Sequence, residues 1–314
     1  MQRVQFIIRN LHEPARIDKV LRTRYPQWGR RAINTILNAG QVMVNGRTIW
    51  LGSWKVKNGD RLEVLNPPTD KRMAVDRFQE EWILAREGAL IVLNKPAGLL
   101  AEPTRANRGS SLLTLAQSHF GPVTLRHRLD RDTSGVILLS HQGPAAKSLN
   151  QYLDQAFKSG RLRKEYVAII HERNRLKDEG TIRTRLDTHQ NRRDMMAVVQ
   201  KGGRLAITEY KITHRWNGLA KVILHPKSGR MHQLRVHMQY LGAPIVGDRL
   251  YDSALRSKNS QAKRNGDQRL MLHARQLMLP QTEGYPERCY VAPLPDEFSQ
   301  GNPTSMKDYS RPLK

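Results

Sequence analysis

The chain has 314 residues, enough to bury a sizeable core and more natural for two domains than for one. It carries 53 Lys and Arg against 28 Asp and Glu, so its formal net charge is +25 and its expected partner is a polyanion, with nucleic acid favoured over an acidic membrane surface. Runs of about 18 apolar residues and a secretory signal are both absent from the sequence. The single cysteine, Cys289, cannot form an intramolecular disulfide or hold zinc alone. We therefore expect a cytoplasmic protein without a membrane partner, with Cys289 as a small core residue.

Residues 16–65 have the pattern of one small folded unit. Apolar residues recur at helical spacing in two short segments, which predicts two amphipathic helices packed on each other. The dipeptide Asn45-Gly46 favours a tight hairpin turn, and a further strand is expected from Arg61 to Leu65. The unit is rich in basic residues, and this excess of one sign favours phosphate contacts over an ordinary solvated face. The apolar positions are Ile17, Val20, Leu21, Ala32, Ile33, Ile36 and Leu37.

This order of two helices, a Val-x-Val-Asn-Gly turn and a Gly-Asp turn resembles the αL RNA-binding domain of ribosomal small-subunit protein S-four. The resemblance implies an RNA-binding domain and linker over residues 1–72, with the proline-rich segment Asn66–Arg72 as the linker. It also implies that arginines on or beside the helices hold structured RNA by its backbone. These arginines are Arg16, Arg22, Arg30 and Arg31. A purely structural lid is the alternative for this unit.

The second part of the chain alternates apolar strands with amphipathic helices. One turn, Asn94-Lys95-Pro96-Ala97-Gly98, carries a lysine directly after a strand. A charged stretch over residues 171–204 predicts a hairpin with a long exposed arm, and Trp216-Asn217-Gly218 predicts another hairpin turn. The other predicted elements are strands at residues 89–93, 136–139, 165–170 and 270–279, and helices at 111–119, 145–157 and 231–241.

The most informative stretch is His127–Gly135, which precedes the strand predicted at residues 136–139. Asp, Thr and Ser before a strand commonly close a turn through side-chain to backbone hydrogen bonds, and this interpretation suffices for Asp132–Ser134. Asp130 differs because three arginines lie close to it in sequence, which indicates a site arranged around negative charge, either the carboxylate itself or an arriving phosphate. The three are Arg126, Arg128 and Arg131.

A second informative stretch is Gly229–His237, part of the helix predicted at residues 231–241. Arg235 lies at the margin of this helix, where an ordinary surface arginine is one interpretation. Asp248 and Asp252 are predicted to close turns around Tyr251.

The stretch His127–Gly135 resembles the signature of the RluA-type pseudouridine synthases. Four further segments support the resemblance in the family's order, and together they span roughly residues 75–295. They are Asn94–Gly98, Lys164–Tyr166, Gly229–His237 and Leu272–Ala274. One departure concerns Glu102-Pro103, because relatives usually have His-Pro there, so no role is carried over from that histidine.

The resemblance implies roles for individual side chains. Asp130 is the expected catalytic residue, and Arg235 is expected to pair with it and keep it ionised. Tyr166 is expected to stack on the uracil and could take part in proton removal from carbon 5. Arg128 would fill the gap left in the RNA stack by a flipped-out uridine. The remaining implied substrate-binding residues are His127, Leu234 and Lys95.

The resemblance further implies an α+β fold. We expect a pseudouridine synthase catalytic domain over residues 73–314, with a mixed, mostly antiparallel sheet bearing the active site, beside the small N-terminal αL domain. The implied activity is isomerisation of uridines in RNA, with large-subunit (23S) ribosomal RNA favoured because relatives with the αL domain tend to act on it. Two alternatives remain open, namely a transfer RNA pseudouridine synthase and a non-enzymatic RNA-binding protein of ribosome assembly.

Isomerisation involves no redox change, and the sequence has no dinucleotide-binding, phosphate-loop or metal motif. We therefore expect no cofactor and no metal, and we expect a monomer. Asp130 could act by attack on carbon 1′ of the ribose or by removal of a proton from carbon 2′, and both routes stay open.

Overall fold

A computed structural model describes residues 3–9, 11, 13–25, 28, 30–65, 77–104, 110–253 and 269–298, without the side chains of residues 30–32. The chain divides into two compact units. Unit 1 comprises Met1–Asp76 and Pro103–Ser110, and unit 2 comprises Arg77–Glu102 and Ser111–Lys314. The linker predicted at Asn66–Arg72 lies outside the described residues.

Unit 1 combines a small sheet with two helices. The strands β1, β6, β3 and β4 form an antiparallel sheet in that order, and β2 pairs with β5. The bounds are β1 (Arg3–Ile7), β2 (Ala15–Arg16), α1 (Ile17–Arg24), α2 (Arg30–Asn38), β3 (Val42–Val44), β4 (Arg47–Thr48), β5 (Lys55–Val56) and β6 (Arg61–Leu65).

The predicted helices and hairpin of unit 1 are confirmed. Apolar residues of both helices, among them Leu21 and Ile36, are buried in one core with strand residues such as Leu62. Asn45 and Gly46 both have positive φ, 50° and 79°, as the hairpin turn between β3 and β4 requires.

Unit 2 is built on one large sheet with helices beside it. Its bounds are β7 (Ile83–Glu87), β8 (Leu90–Lys95), α3 (Leu112–Phe120), β9 (Val123–Leu125), β10 (Ser134–His141), α4 (Lys147–Lys158), β11 (Arg163–His171), β12 (Glu179–His189), β13 (Arg192–Val199), β14 (Arg204–Trp216), β15 (Leu219–Pro226), α5 (Gln233–Tyr240), β16 (Leu272–Leu279) and β17 (Arg288–Val291).

The sheet of unit 2 has eleven strands within the described residues. Its main order is β13-β12-β14-β15-β11-β16-β10-β8-β7, with β17 paired to β16 and β9 paired to β10. Strands β10 and β16 run parallel, whereas the other pairs are antiparallel. The predicted α+β class, with a mixed and mostly antiparallel sheet, is therefore confirmed.

Two further sequence predictions concern loops and the cysteine. The charged stretch at residues 171–204 does form a hairpin arm, made of β12 and β13. Cys289 is exposed, so the prediction of a core position was wrong. The reason is the alternation of β17, in which Tyr290 takes the buried position and its neighbour Cys289 faces outward.

Among the described helices, none is long and apolar enough to cross a membrane.

Candidate active site

Asp130 lies in the loop between β9 and β10, and the start of β10 fixes the end of that loop. Gly135 has a φ of +115°, and a Cβ there would come within 2.1 Å of the main-chain oxygen of Ala274. Only glycine allows β16 to approach β10 this closely. The Ser134 hydroxyl lies 2.8 Å from Nδ1 of His273. The motif around Asp130 and the Leu272-His273-Ala274 motif, distant in sequence, therefore meet at the start of β10.

Lys95 holds the Asp130 loop from below without facing solvent. Its side chain is fully buried, and its Nζ donates to the carbonyl oxygens of Pro96, Leu99 and Arg131 at 2.9, 2.7 and 2.8 Å. Burial lowers the pKa of Lys95 to about 7, although the carboxylates of Asp132 and Asp130 act in the opposite direction. Lys95 therefore ties two loops together through its three carbonyl contacts, and its predicted substrate contact stays a prediction.

His127 also serves the loop itself. Its Nε2 accepts a hydrogen bond from the main-chain N–H of Leu138 at 3.1 Å, and its ring packs against Phe157. Burial, and then the charge of Lys164, lower the pKa of His127 to about 3, so the ring is neutral at physiological pH. This nitrogen therefore braces the main chain of β10, and the predicted substrate contact of His127 stays a prediction.

Arg235 is the predicted site residue that the structure does bring to Asp130. It lies near the start of α5, and its Nη1 donates to Oδ2 of Asp130 at 3.3 Å. The side chain of Arg235 is 8% exposed and that of Asp130 is 26% exposed. The contact thus joins a buried guanidinium to a carboxylate that still reaches solvent.

A third residue, Asp248, fixes Arg235 from the other side. Its two carboxylate oxygens accept from Nε and Nη2 of Arg235, both at 2.8 Å, in a fork-to-fork pair. Burial alone would lower the pKa of Arg235, but the hydrogen bonds and charge of Asp248, and then the charge of Asp130, raise it above its ordinary value. The cation is therefore permanent, and its orientation is set before any substrate arrives.

The predicted turn role of Asp248 is confirmed, but it is incomplete. Its Oδ1 accepts the main-chain N–H groups of Leu250 and Tyr251 at 3.0 Å, as a turn residue would. The contact with Arg235 was missed, and the only signal for it was an acidic turn lying thirteen residues after the arginine. Asp252 is a buried neighbour that pairs with Arg173 at 2.8 Å.

His232 is a site residue that sequence reasoning missed. It precedes α5 in a left-handed conformation, with a φ of 53°, which is uncommon for a non-glycine residue. Its Nδ1 lies 2.9 Å from the hydroxyl of Tyr251, and its Nε2 lies 3.9 Å from Oδ2 of Asp130. The Tyr251 hydroxyl already accepts from the main-chain N–H of Met196, so its own hydrogen is left for Nδ1. This arrangement favours the tautomer whose Nε2–H faces Asp130.

Tyr166 lies near the start of β11, just after an irregularity in its pairing with β16. Burial raises the pKa of its phenol, and the negative charge of Asp130 raises it further. The phenol is therefore uncharged at neutral pH, and it lies close enough to Asp130 for the charge of that carboxylate to affect it. Leu234, the residue before Arg235, is buried in the main core of unit 2, and its contact with substrate stays a prediction.

Arg128 belongs to the same loop as Asp130, two residues before it. Its side chain is 72% exposed, and its Nε is 3.7 Å from a carboxylate oxygen of Glu102. Glu102, which stands where relatives usually have histidine, thus contacts Arg128, the arginine that is predicted to contact RNA.

The basic residues of unit 1 differ in their contacts. Arg16 forms a two-point pair with Asp18, at 3.1 and 2.8 Å, whereas Arg22 is exposed in the last turn of α1. The predictions for Arg30 and Arg31 fall on side chains outside the described residues. In the part of the chain that the structure describes, no group of three or more His, Cys, Asp or Glu residues is placed to hold a metal ion.

Comparison with known proteins identifies the family. The sequence profile described as RNA pseudouridylate synthase matches residues 89–240. The ribosomal large subunit pseudouridine synthase D of Xylella fastidiosa is 30% identical over 298 residues, covering 91% of this chain and 87% of that protein. The protein of the same name from Haemophilus influenzae is 28% identical, covering 90% and 89%. The solved structure of human RNA pseudouridylate synthase domain containing 4 matches with a TM-score of 0.54 at 28% identity, over 69% of this chain and 90% of that one. The chain therefore belongs to the RluA-type family of RNA pseudouridine synthases.

Proposed function

We propose that this pseudouridine synthase isomerises uridines of large-subunit ribosomal RNA and that Asp130 is its catalytic carboxylate. The observation that carries the role of Asp130 is its position against Arg235, which Asp248 holds in turn. The substrate is supported by the names of relatives that align with 90% and 91% of this chain. The protein acts as a monomer in the cytoplasm, where ribosomal RNA is available to it.

The reaction exchanges one glycosidic bond for another. The bond between carbon 1′ and nitrogen 1 of uracil breaks, the detached base turns, and carbon 5 bonds to carbon 1′. Carbon 5 then loses its proton and nitrogen 1 carries one, so the product is an isomer and no oxidant is needed. Asp130 serves either as a nucleophile at carbon 1′ or as a base at carbon 2′, and in both roles its carboxylate lies beside the Arg235 cation.

Tyr166 contributes as a neutral phenol. Because burial and Asp130 raise its pKa, a tyrosinate base would be costly to form at neutral pH. Its role is therefore to stack on the uracil, or to donate a hydrogen bond to it, while the base is detached from the ribose. The sequence also allows Tyr166 a part in proton removal from carbon 5, and that role is not included in this proposal.

Arg128 and Leu234 complete the substrate contacts. A uridine within a folded RNA must leave its stack to reach a carboxylate in a loop. Arg128 is exposed and planar, so its guanidinium can enter the vacated space and both stack and hydrogen-bond there. Leu234 borders the detached base next to Arg235.

Unit 1 supplies affinity for RNA in this proposal. Residues 1–72 act as an αL-type RNA-binding domain with its linker, and residues 73–314 act as the catalytic domain. Arg22 contacts the RNA backbone, together with Arg30 and Arg31, and Arg16 does so after exchanging Asp18 for phosphate.

A map of pseudouridines tests this proposal. Ribosomal and transfer RNA are compared from cells with the gene intact, deleted, or restored as wild type, Asp130→Asn or Asp178→Asn. Asp178 is an exposed aspartate paired with Arg215 and is the matched control for the same chemical change. We expect one or more large-subunit positions to vanish on deletion, to return with wild type and Asp178→Asn, and to stay absent with Asp130→Asn.

Other outcomes replace the proposal. Sites that vanish only from transfer RNA would move the substrate to that class. Full restoration by Asp130→Asn would remove Asp130 from the mechanism. An unchanged map would leave an RNA-binding role in ribosome assembly. Purified Asp130→Asn should bind ribosomal RNA as tightly as wild type, which separates binding from turnover.

A further inference from the structure

Unit 1 exposes large apolar side chains in one short loop. The loop joins β4 to β5, and it presents Trp50, Leu51 and Trp54 with 57%, 65% and 37% of their surface exposed. Exposed tryptophans that are close together are unusual on a protein surface and mark contact sites more often than single exposed residues do.

The loop has a fixed main chain beneath these side chains. The main-chain N–H groups of Ile17 and Asp18 donate to the oxygens of Trp54 and Gly52 at 2.8 and 3.2 Å, which ties the loop to the start of α1. The ring of Trp50 lies over Gly40, where a Cβ would come within 2.6 Å of it. The aromatic surface is therefore preorganised, so a ligand would meet it at a small entropic cost.

Basic residues surround the same loop. The guanidinium of Arg47 lies 5.1 Å from the ring centre of Trp54. A cavity of about 620 Å³ opens beside the loop, and residues of the loop and of α1 line it. Its lining includes Gly52, Ser53, Arg16, Lys19, Arg22 and Asp18. The ring of Trp54 thus lies next to one cation, and three further cations line the cavity that the same loop borders.

We propose that Trp50 and Trp54 form a stacking platform for unpaired nucleotides, whose phosphates lie against Arg16, Lys19 and Arg22. This inference rests on the RNA-binding role proposed above, and it goes further by naming unpaired strand instead of helix as the ligand. Stacking on aromatic side chains suits every base, whereas an A-form helix hides its base faces and offers only backbone. A second copy is a poor occupant because each chain carries a net charge of +25.

The test uses the full-length chain with three polyanions, namely an oligo(A) strand of about 12 nucleotides, an RNA duplex of the same length, and polyphosphate. Oligo(A) contains no uridine, so it does not report on the catalytic pocket. The variants are Trp50→Ala, Trp50→Phe, Trp50→Leu and Trp54→Ala. Ile7→Ala is the control, because Ile7 is a 53% exposed apolar residue on β1 of the same unit.

We expect Trp50→Ala and Trp54→Ala each to weaken oligo(A) binding by about tenfold or more, since one stacked base contributes roughly that much. Their affinities for duplex and polyphosphate should stay within about twofold of wild type. Trp50→Phe should retain most of the oligo(A) affinity and Trp50→Leu should not, because leucine preserves apolar area without a π face.

Several results would overturn the inference. Unchanged oligo(A) binding by Trp50→Ala would remove the platform, and an equal loss for polyphosphate would indicate damage to the fold. Equal retention by Trp50→Leu and Trp50→Phe would point to an apolar protein partner. Concentration-dependent dimers, or binding to anionic lipid vesicles, that depend on Trp50 would assign the loop to those occupants. Turnover of ribosomal RNA by wild type is measured in parallel, so failure of the proposed function is seen separately from failure of the platform.

Discussion

Two arginines near Asp130, one in its own loop and one on α5, are held in very different ways. Arg235 is 8% exposed and makes a two-point pair with Asp248 at 2.8 Å, in addition to its contact with Asp130. Arg128 is 72% exposed, and its contact with Glu102 is 3.7 Å long. The same side chain thus occurs once as part of a rigid buried network and once as a loosely held surface group.

The difference follows from the cost of burial. A buried guanidinium is tolerated only when carboxylates and hydrogen bonds satisfy it, and these partners leave it one orientation. An exposed ion pair contributes about 1 kcal/mol or less, so it is easily exchanged for another anion. Arg235 is therefore suited to position the carboxylate of Asp130, the proposed catalytic group, and Arg128 is suited to the proposed move into RNA.

The largest effect should come from Asp248→Asn, which breaks the buried network without changing its shape. The variant leaves the Arg235 cation with Asp130 as its remaining partner, so we expect the free energy of unfolding to fall by about 3–5 kcal/mol. Turnover should also be lost, because Arg235 is then free to turn away from Asp130. Chemical denaturation and a pseudouridine assay measure both effects. Asp194→Asn, in an exposed pair of the same length, should cost about 1 kcal/mol or less; equal costs for the two variants would erase the contrast between buried and exposed pairs.

A pH dependence should appear in the same helix. His237 is fully buried two residues after Arg235, its nitrogens lie 2.9 and 3.1 Å from the hydroxyls of Thr208 and Thr184, and burial lowers its pKa to about 4. Between pH 6.5 and 4 the unfolded chain binds a proton that the folded chain refuses, so the free energy of unfolding falls as pH falls through this window. The contribution of this histidine is as much as about 3 kcal/mol.

His237→Gln provides the measurement. Glutamine does not titrate, so the stability of this variant should fall less between pH 6.5 and 4 than that of wild type, whatever its stability at pH 7. Parallel curves for the two proteins would show that acid destabilises the chain through other groups. In that case the titration of His237 would not contribute to the loss of stability in acid.

Variants of His232 test whether a second group near Asp130, besides Arg235, acts on the substrate. Burial lowers its pKa, although Asp130 acts in the opposite direction, so the ring is neutral and its Nε2–H faces Asp130. His232→Asn keeps an acceptor near Nδ1 for Tyr251 and loses the donor, whereas His232→Gln keeps a donor near Nε2 and loses that acceptor. The 3.9 Å between Nε2 and Oδ2 is too long for a hydrogen bond, so this donor acts on Asp130 as a close electrostatic contact. We expect His232→Asn to lower kcat/KM by about tenfold and His232→Gln to lower it less.

The pair of variants separates catalysis from structure. Asparagine tolerates the left-handed conformation of His232 better than glutamine, so His232→Asn should be the more stable protein and still the less active one. The pH profile of kcat/KM provides a second readout, because a donor acting at Asp130 changes that profile and a merely structural contact does not. Higher activity for His232→Asn would assign the residue to its bond with Tyr251 alone.

The sequence predicts the elements around this site well because their signals are local. The helix that carries Arg235 has an apolar period, and the Asn217-Gly218 turn has the residues that positive φ requires. The arm at residues 171–204 was predicted from charge and broken pattern, and it is a hairpin. Each of these features depends on neighbours a few residues away.

Partners across the fold could not be predicted in this way. Asp248 has an ordinary turn pattern, and nothing local indicates that its carboxylate turns towards α5. Lys95 and His127 belong to the right motifs, but motif membership does not say which atoms face the substrate. In the structure Lys95 binds three carbonyl groups and His127 binds the main chain of β10, and neither contact has a signal in the local sequence.

The smallest effect should come from Glu102→Gln, on the exposed side of the loop. The change removes the anion that competes with RNA for Arg128, so KM for the RNA substrate should fall by up to about fivefold, the value of an exposed ion pair. The gain should shrink as salt rises, because salt screens exposed charges. A double-mutant cycle with Arg128→Ala identifies the cause. If Glu102 acts by holding Arg128, Glu102→Gln has no effect in the Arg128→Ala background; if it acts by repelling phosphate directly, the gain persists there. The first result would show that Glu102 restrains Arg128 before RNA binds. The second would show that Glu102 does not restrain Arg128.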